Sequence, residues 1–366
     1  MQTNPHTHPK SWRMYMPNSI LTYTQSIKEA TYQCMEQDKS IFVIGLGVTY
    51  PNGGDGTTGG LVESYPNRVL DMPCSEGAAT GICIGSALMG MRPILVHGRV
   101  EFALLGFDQI VTQAAKWNYL FRSSVPIVIR ASIGRRWGDG PQHTQVLHSV
   151  FGHIPGLKVV IPSTPRSAKG LLISSILDNN PVIFLEHRWL YNISETVPNS
   201  LYTQDIHLCQ IVRYGSNLTI VANSDTLIDT LRCVPTLVQY GIEPEVIDLV
   251  SVNPIDYNTI ISSVKKTGRI LVIDTGTKTY GLGSEIISHI CENIWDSLLS
   301  PPVNVGSKDC PCPTSTALSE HYYPTDVTII TEISRMFKID IDYNKCQDFH
   351  KMHMPSNENI DGLLKL

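Results

Sequence analysis

Charge is scarce in this sequence. Only 17% of its 366 residues are Asp, Glu, Lys or Arg, and 28 basic side chains face 33 acidic ones, for a formal charge of -5. No long run of Lys and Arg exists, which argues against a surface that tracks nucleic-acid phosphates. No apolar stretch reaches the ~18 residues that a membrane span needs. The opening segment, MQTNPHTHPKSWRMYMPNS, lacks the apolar centre of a signal peptide, so the expectation is a soluble cytoplasmic protein. Nine cysteines are an odd, irregularly spaced set in a chain too long to need covalent staples, which argues against a disulfide framework. The one close pair, Cys310 and Cys312, is separated by a single residue, where zinc sites use two to four.

What the chain does have is apolar sequence in short blocks. Hydrophobic residues make up 42% of it, and at roughly 150 residues per domain the length predicts two domains, each with its own core. Residues 22–38, TYTQSIKEATYQCMEQD, read as an amphipathic helix with Ile27, Ala30, Tyr32 and Cys34 on the apolar side. Strand-like runs follow: SIFVIGLG, RVLDMP, PILVH, VPIVIR, LKVVIP and PVIFLEH, each separated from the next by helical or loop sequence. Continuous apolar strands with helices between them predict a parallel sheet covered on both faces. A second αβ set begins near residue 217 with LTIVANS, PEVIDLV and GRILVID. The segment 193–216 has no strong period and reads as the linker. The fold expected is therefore α/β, with two parallel-sheet domains.

The run Gly53-Gly54-Asp55-Gly56 invites a phosphate-binding reading, since glycine lets backbone amides approach an anion. No helix opens at its third glycine, so it misses the dinucleotide fingerprint. A GDG tripeptide also opens the metal and diphosphate motif of thiamine enzymes, but the Asn pair that completes that motif is missing from the stretch ATGICIGSAL. A turn-forming loop is the better reading, and the chain is not expected to hold a diphosphate by itself. More informative is RVLDMP, which delivers Cys74, Ser75 and Glu76 to the carboxyl end of a strand, where ligands sit in open α/β sheets. A helix then begins, with Gly77, Gly81 and Gly85 on one stripe that lets another backbone come close. Glu76 has a plain alternative role as a cap on the positive end of that helix. Phe102 follows in VEFALLGFDQIVTQAAKW, ahead of a helix carrying Asp108 and Gln109.

Taken together, SEGAATGICIGSALMGMRPI, EFALLGFDQIV, PQHTQ, HIPGLKVVIPSTPRSAKGLL, LDNNPVIFLEHRWLY, EVIDLVSVNPID and VKKTGRILVID carry a resemblance. From about residue 18 to 337 the chain resembles the β subunit of the thiamine-diphosphate-dependent E1 component of 2-oxo acid dehydrogenases, in the transketolase-like superfamily. The resemblance implies a tail over 1–17, a transketolase-like pyrimidine-binding domain over 18–200, a transketolase C-terminal-like domain over 201–337 and a C-terminal tail over 338–366. It further implies that Glu76 binds N1′ of the cofactor's aminopyrimidine, stabilising the imino tautomer that removes the thiazolium C2 proton. Phe102 would stack on that pyrimidine, and Cys74 lies beside the same ring. His143, in PQHTQ, would face the reacting carbon as hydrogen-bond or proton donor, while His148 and His153 are read as structural. Asp178 and Asn180, with carbonyls near Ile127, Ser175 and Ile176, match positions that hold a structural potassium ion. Diphosphate and magnesium would be held by a separate α-type subunit, in a heterotetramer of two α and two β chains. A lipoyl-bearing carrier would take the acyl group.

The sequence departs from the pattern at Leu46, where an acidic residue is usual, and at Leu105, where Gln is usual. The loop before His143 carries Arg135, Arg136 and Trp137. Two guanidinium forks there suit an anionic or sugar-phosphate acceptor, and contact with the partner subunit or solvent explains them equally well. Three functions stay open: decarboxylation of a 2-oxo acid with acyl transfer to a lipoyl carrier, transfer of the same acyl group to an aldehyde, ketone or sugar, and a non-catalytic partner subunit. Retention of Glu76, Phe102 and His143 together argues against the last.

Overall fold

The computed structural model describes residues 17–134, 138–319, 321–342 and 357–366. The strand β1 (Asn18–Thr22) runs into the helix α1 (Tyr23–Gln37), which Thr22 and Gln25 start with a reciprocal capping box. Ile27, Ala30, Cys34 and Met35 turn inward while Tyr32 stays half-buried, as the helical spacing requires. The apolar runs then form β2 (Ile41–Gly45), β3 (Val69–Asp71), β4 (Arg92–His97), β5 (Val128–Ile133), β6 (Lys158–Val160) and β7 (Val182–His187). They lie parallel in the order β6-β7-β5-β4-β2-β3. The helices α2 (Glu76–Leu88), α3 (Ala115–Phe121) and α4 (Pro165–Leu177) belong to the same unit. Both faces of the sheet are covered. Ile44, Leu95, Ile129 and Leu185 point into a core shared with α2, and Val43, Val96, Val128 and Phe184 into one shared with α1 and α4. The run before α3 departs from the plain helix expected there: Gln109–Ala114 winds as a π-helix, beginning one residue after Asp108.

Two expectations shift. The strand expected at VPIVIR begins only at Val128, because Pro126 has no N–H to donate to a ladder, and it runs on to Ile133. The segment 193–216, expected as an irregular linker, contains β8 (Ser194–Pro198) and β9 (Gln210–Arg213). β8 pairs antiparallel with β1 from Asn18↔Pro198 to Thr22↔Ser194, and so ties the two ends of the first unit together.

The second unit holds β10 (Leu218–Ala222), α5 (Ser224–Gln239), β11 (Pro244–Asp248), β12 (Ser251–Asn253), α6 (Tyr257–Thr267), β13 (Ile270–Thr277), α7 (Leu282–Ile294), β14 (Val303–Ser307) and α8 (Asp326–Phe337). Its sheet has the order β14-β13-β10-β11-β9 and is parallel except for β9. β12 leaves it and pairs antiparallel with β6, at the edge of the first sheet. The two units also meet through buried polar groups. His148, read from sequence as structural, sits 3.0 Å from Asp274, which Asn223 also bonds at 2.9 Å. Of the expected C-terminal tail, residues 357–366 are anchored: Ile360 is buried, its amide donates to the Ser194 carbonyl at 2.9 Å, and Glu358 pairs with Arg232. No helix among the described residues is long and apolar enough to cross a membrane.

Candidate active site

The carboxyl ends of β2, β4, β5 and β7 open on one cavity of about 410 Å³. Phe102 and His143 stand on its wall, their ring centroids 5.8 Å apart in an edge contact at 68°. The turn that carries Phe102 also positions the His143 loop. Arg99 Nη1 donates to the His143 carbonyl at 2.6 Å, and the Gln145 amide donates to Glu101 Oε1 at 2.8 Å. Burial pushes the Glu101 carboxyl up, against the pull of that amide bond and of His143. The His143 ring nitrogen Nδ1 is buried with no protein partner among the described residues.

Ion pairs lace the loops together across the cavity mouth. Arg99 binds Asp139, Asp139 lies 3.4 Å from Arg188, and Arg188 reaches Asp55 at 2.6 Å. Gly54 and Asp55 both adopt positive φ, 55° and 53°, so the GGDG run is a left-handed turn that brings Asp55 onto the cavity wall. Arg130 and Glu186 form a buried pair at 2.5 Å beneath it.

Glu76 and Cys74 lie outside that wall. Glu76 opens α2 and is buried, 8% exposed, with no side-chain capping bond at the helix start. Cys74 is exposed as a free thiol. Two glycines hold the first turn of α2 to the Phe102 turn. A Cβ at Gly77 would lie 3.0 Å from the Leu105 carbonyl, and one at Gly106 only 2.5 Å from Thr80 Oγ1. The expected close approach is therefore confined to Gly77, because a Cβ at Gly81 or Gly85 would meet nothing within 4 Å. Arg135 and Arg136 lie outside the described residues. Leu46 lines the cavity, whereas Leu105 is exposed.

Comparison with known proteins gives the context. Residues 20–194 match the family "Transketolase, pyrimidine binding domain" and residues 208–329 match "Transketolase, C-terminal domain". The chain is 40% identical over 298 residues to a pyruvate dehydrogenase E1 component subunit beta of Porphyra purpurea, covering 81% of this chain and 90% of that one. The chain belongs to the E1 β subunit family of the transketolase superfamily. A second relative, the acetoin:2,6-dichlorophenolindophenol oxidoreductase subunit beta of Cupriavidus necator, is 36% identical over 330 residues, covering 87% of this chain and 98% of that one. In structure, the chain aligns with a split-gene transketolase described as an inactive beta4 tetramer, with a TM-score of 0.73 at 19% identity over 87% of this chain and 99% of that one. That likeness bears on the fold alone.

For an E1 β subunit the family implies dependence on thiamine diphosphate and an α-subunit partner. The residues present fit the pyrimidine side of that cofactor: a buried carboxylate at a helix start and a half-buried aromatic on the turn packed against it. They do not fit the diphosphate side. Asp55, the one acid of the GGDG turn, is committed to Arg188, and the described residues contain no group of three or more His, Cys, Asp or Glu able to hold a metal.

The expected potassium position is already furnished with cations. Arg92 Nη1 donates to the carbonyls of both Ile176 and Asp178 at 3.0 Å, and Lys158 pairs with the Asp178 carboxylate. The Ile127 carbonyl accepts the Val182 amide at 3.0 Å, the Asp178 amide bonds back to Ser175, and the Asn180 amide binds Asp178 Oδ1 at 2.8 Å. A further cation held by this donor set would stand beside the Arg92 guanidinium, on the carbonyls of Ile176 and Asp178, and the Lys158 ammonium, on the Asp178 carboxylate, and their charge opposes it. Exchange of potassium for sodium is accordingly expected to leave the unfolding temperature unchanged, since an ion that does not bind the native state cannot stabilise it. A melting series in the two salts checks this, and a midpoint rising with potassium concentration alone would contradict it.

Sequence reasoning missed Arg99, Glu101, Arg130, Asp139, Glu186 and Arg188. A signal existed for two of them. Arg130 in VPIVIR and Glu186 in PVIFLEH are charges inside otherwise apolar strands, and buried charges occur paired. Ser132 and Glu186 are opposite one another in the β5–β7 register, which sets the Glu186 carboxylate beside Arg130 two residues earlier.

Proposed function

We propose that this chain supplies the pyrimidine side of a thiamine-diphosphate site shared with an α-type subunit that carries the diphosphate and magnesium. The complex, two α and two β chains, would decarboxylate a 2-oxo acid of the pyruvate kind and pass the acyl group to a lipoyl carrier. When bound, the cofactor supplies a carbon nucleophile that stores the electron pair released with carbon dioxide. This chain's part is to hold and move protons around it. Glu76 holds the proton shared with N1′, Phe102 covers the face of the pyrimidine, and His143 donates or removes a proton at the substrate oxygen. The observation that carries the reading is the pairing of Phe102 and His143 on one cavity wall while the turn of Glu76 is pinned against the turn of Phe102.

A second reading keeps the same first half and hands the acyl group to a small aldehyde or ketone. It draws on the arginine-rich wall and on the relative named for acetoin. Mass spectrometry on the reconstituted α/β pair separates the two. With pyruvate and a lipoyl domain, an acetyl mass increment on the lipoyl group is expected. An acyloin product with no acylated carrier would overturn lipoyl transfer in favour of the second reading.

A further inference from the structure

The loop that follows β14 carries Cys310 and Cys312, the one close cysteine pair in the sequence, and the proposed reaction leaves both unused. Both are free thiols. Cys310 is exposed, whereas Cys312 is only 7% exposed and its Sγ shares a hydrogen bond with the Tyr323 hydroxyl at 3.2 Å. Burial pushes the Tyr322 phenol up to about 12, with Cys312 and Cys310 both adding to the rise. The two thiols therefore stand within electrostatic reach of one hydroxyl. Residues two apart in an extended chain face the same side, with Cα atoms at most about 7 Å apart. A disulfide spans about 4.4–6.8 Å between Cα atoms, so a slight contraction of the loop brings the pair within bonding range.

The upstream end of the loop is tied down. The Lys308 amide donates to the Tyr322 carbonyl at 3.2 Å, the Thr279 hydroxyl to Asp309 Oδ2 at 3.2 Å, and the Cys310 amide to the Lys308 carbonyl at 2.9 Å. A contraction is thus taken up downstream, where Thr314 rests against the loop of His143: a Cβ at Gly140 would lie only 2.7 Å from Thr314 Oγ1. The Gly140 carbonyl accepts the Thr144 hydroxyl at 2.7 Å and the His143 amide at 3.4 Å. Movement of Thr314 passes directly to the backbone that places His143.

We propose that Cys310 and Cys312 are a dithiol–disulfide switch, closed by a small-molecule disulfide, that shifts the His143 loop through Thr314 and Gly140. The exposed Cys310, as thiolate, attacks one sulfur of the small disulfide, forms a mixed disulfide and releases one small thiolate. Cys312, as thiolate, then attacks the Cys310 sulfur, forms the Cys310–Cys312 bond and expels the second small thiolate. The two cysteine protons end on the two released thiols, and the pair gives up two electrons to the small disulfide. The bond closes on an exposed loop, so a dithiol opens it again. The switch stands apart from the reaction proposed above, since it is read on thiols and on one imidazole.

The test uses the full chain with isotope-labelled histidine, treated with glutathione disulfide in excess. The His143 ring resonance is identified by its loss in His143→Gln, and the tryptic fragment 309–335 holds both cysteines and no other. That fragment is expected to become lighter by two hydrogens and the His143 resonance to move, with dithiothreitol restoring both. Cys312→Ser keeps a hydrogen-bonding group for Tyr323, and should retain glutathione on Cys310 while the resonance stays in place. A wild-type fragment that keeps its mass or its glutathione, a bond from either thiol to a third cysteine, an unmoved His143 resonance after closure, or the same movement in Cys312→Ser would each overturn the proposal.

Discussion

Glu76→Gln in the reconstituted α/β complex is expected to slow exchange of the thiamine diphosphate C2 hydrogen by at least ~10²-fold. Gln keeps the size and one hydrogen bond of Glu but cannot hold an ionisable proton against a ring nitrogen. The effect is large because exchange precedes substrate, so no later interaction can mask it. The competing role is structural. As the first residue of α2, Glu76 also faces the positive helix end, a placement worth about 0.3–1 kcal/mol at most exposed sites. If that were its whole function, the variant would unfold a few degrees lower and exchange at the wild-type rate. Exchange followed by proton NMR, with the melting temperature measured beside it, decides between these roles.

His143→Ala is expected to have the opposite profile. C2 exchange should stay near the wild-type rate, while turnover of a 2-oxo acid falls by ~10²–10⁴-fold, the usual worth of a positioned acid or base. The loop should survive the change, since Arg99 holds the backbone carbonyl of residue 143 and Glu101 holds the amide of Gln145. What disappears is the imidazole and its edge contact with Phe102, the latter worth about 0.5–1.5 kcal/mol. Steady-state turnover and C2 exchange on one preparation give the comparison. Loss of both rates together would mean that His143 shapes the cofactor pocket rather than serving the substrate.

Much of the architecture was legible because it is written in local pattern. β2, β4 and β7 stand where unbroken Ile, Val, Leu and Phe blocks predict buried parallel strands, and α5, α6 and α7 follow the runs LTIVANS, PEVIDLV and GRILVID in turn, as an alternating αβ set requires. β8 and β12 were not legible. Each is short, and each gains its stability from a strand far away in the chain, β1 and β6 respectively, so no window of sequence contains the interaction. The site divides in the same way. Glu76, Phe102 and His143 lie in distinctive words, whereas Arg99, Asp139 and Arg188 acquire meaning only when three loops converge. The potassium expectation did not fit for a related reason. Asp178 and Asn180 were readable in LDNNP, but the guanidinium that takes the carbonyls of Ile176 and Asp178 comes from Arg92, more than eighty residues earlier.

The pairing of β12 with β6 has a consequence for how the chain is made. A ribosome delivers β6 at residues 158–160 but must add about 90 more residues before Ser251–Asn253 emerges. At the usual pace of synthesis this is an interval of roughly 5–20 s. Until then the nascent first unit presents an open ladder of backbone donors and acceptors, the feature through which sheets recruit the wrong neighbour. The second unit therefore acts towards the first as an intramolecular guard, delivered late. Truncation just after residue 216, at what resembles a clean boundary, would leave a first unit that aggregates through that bare edge.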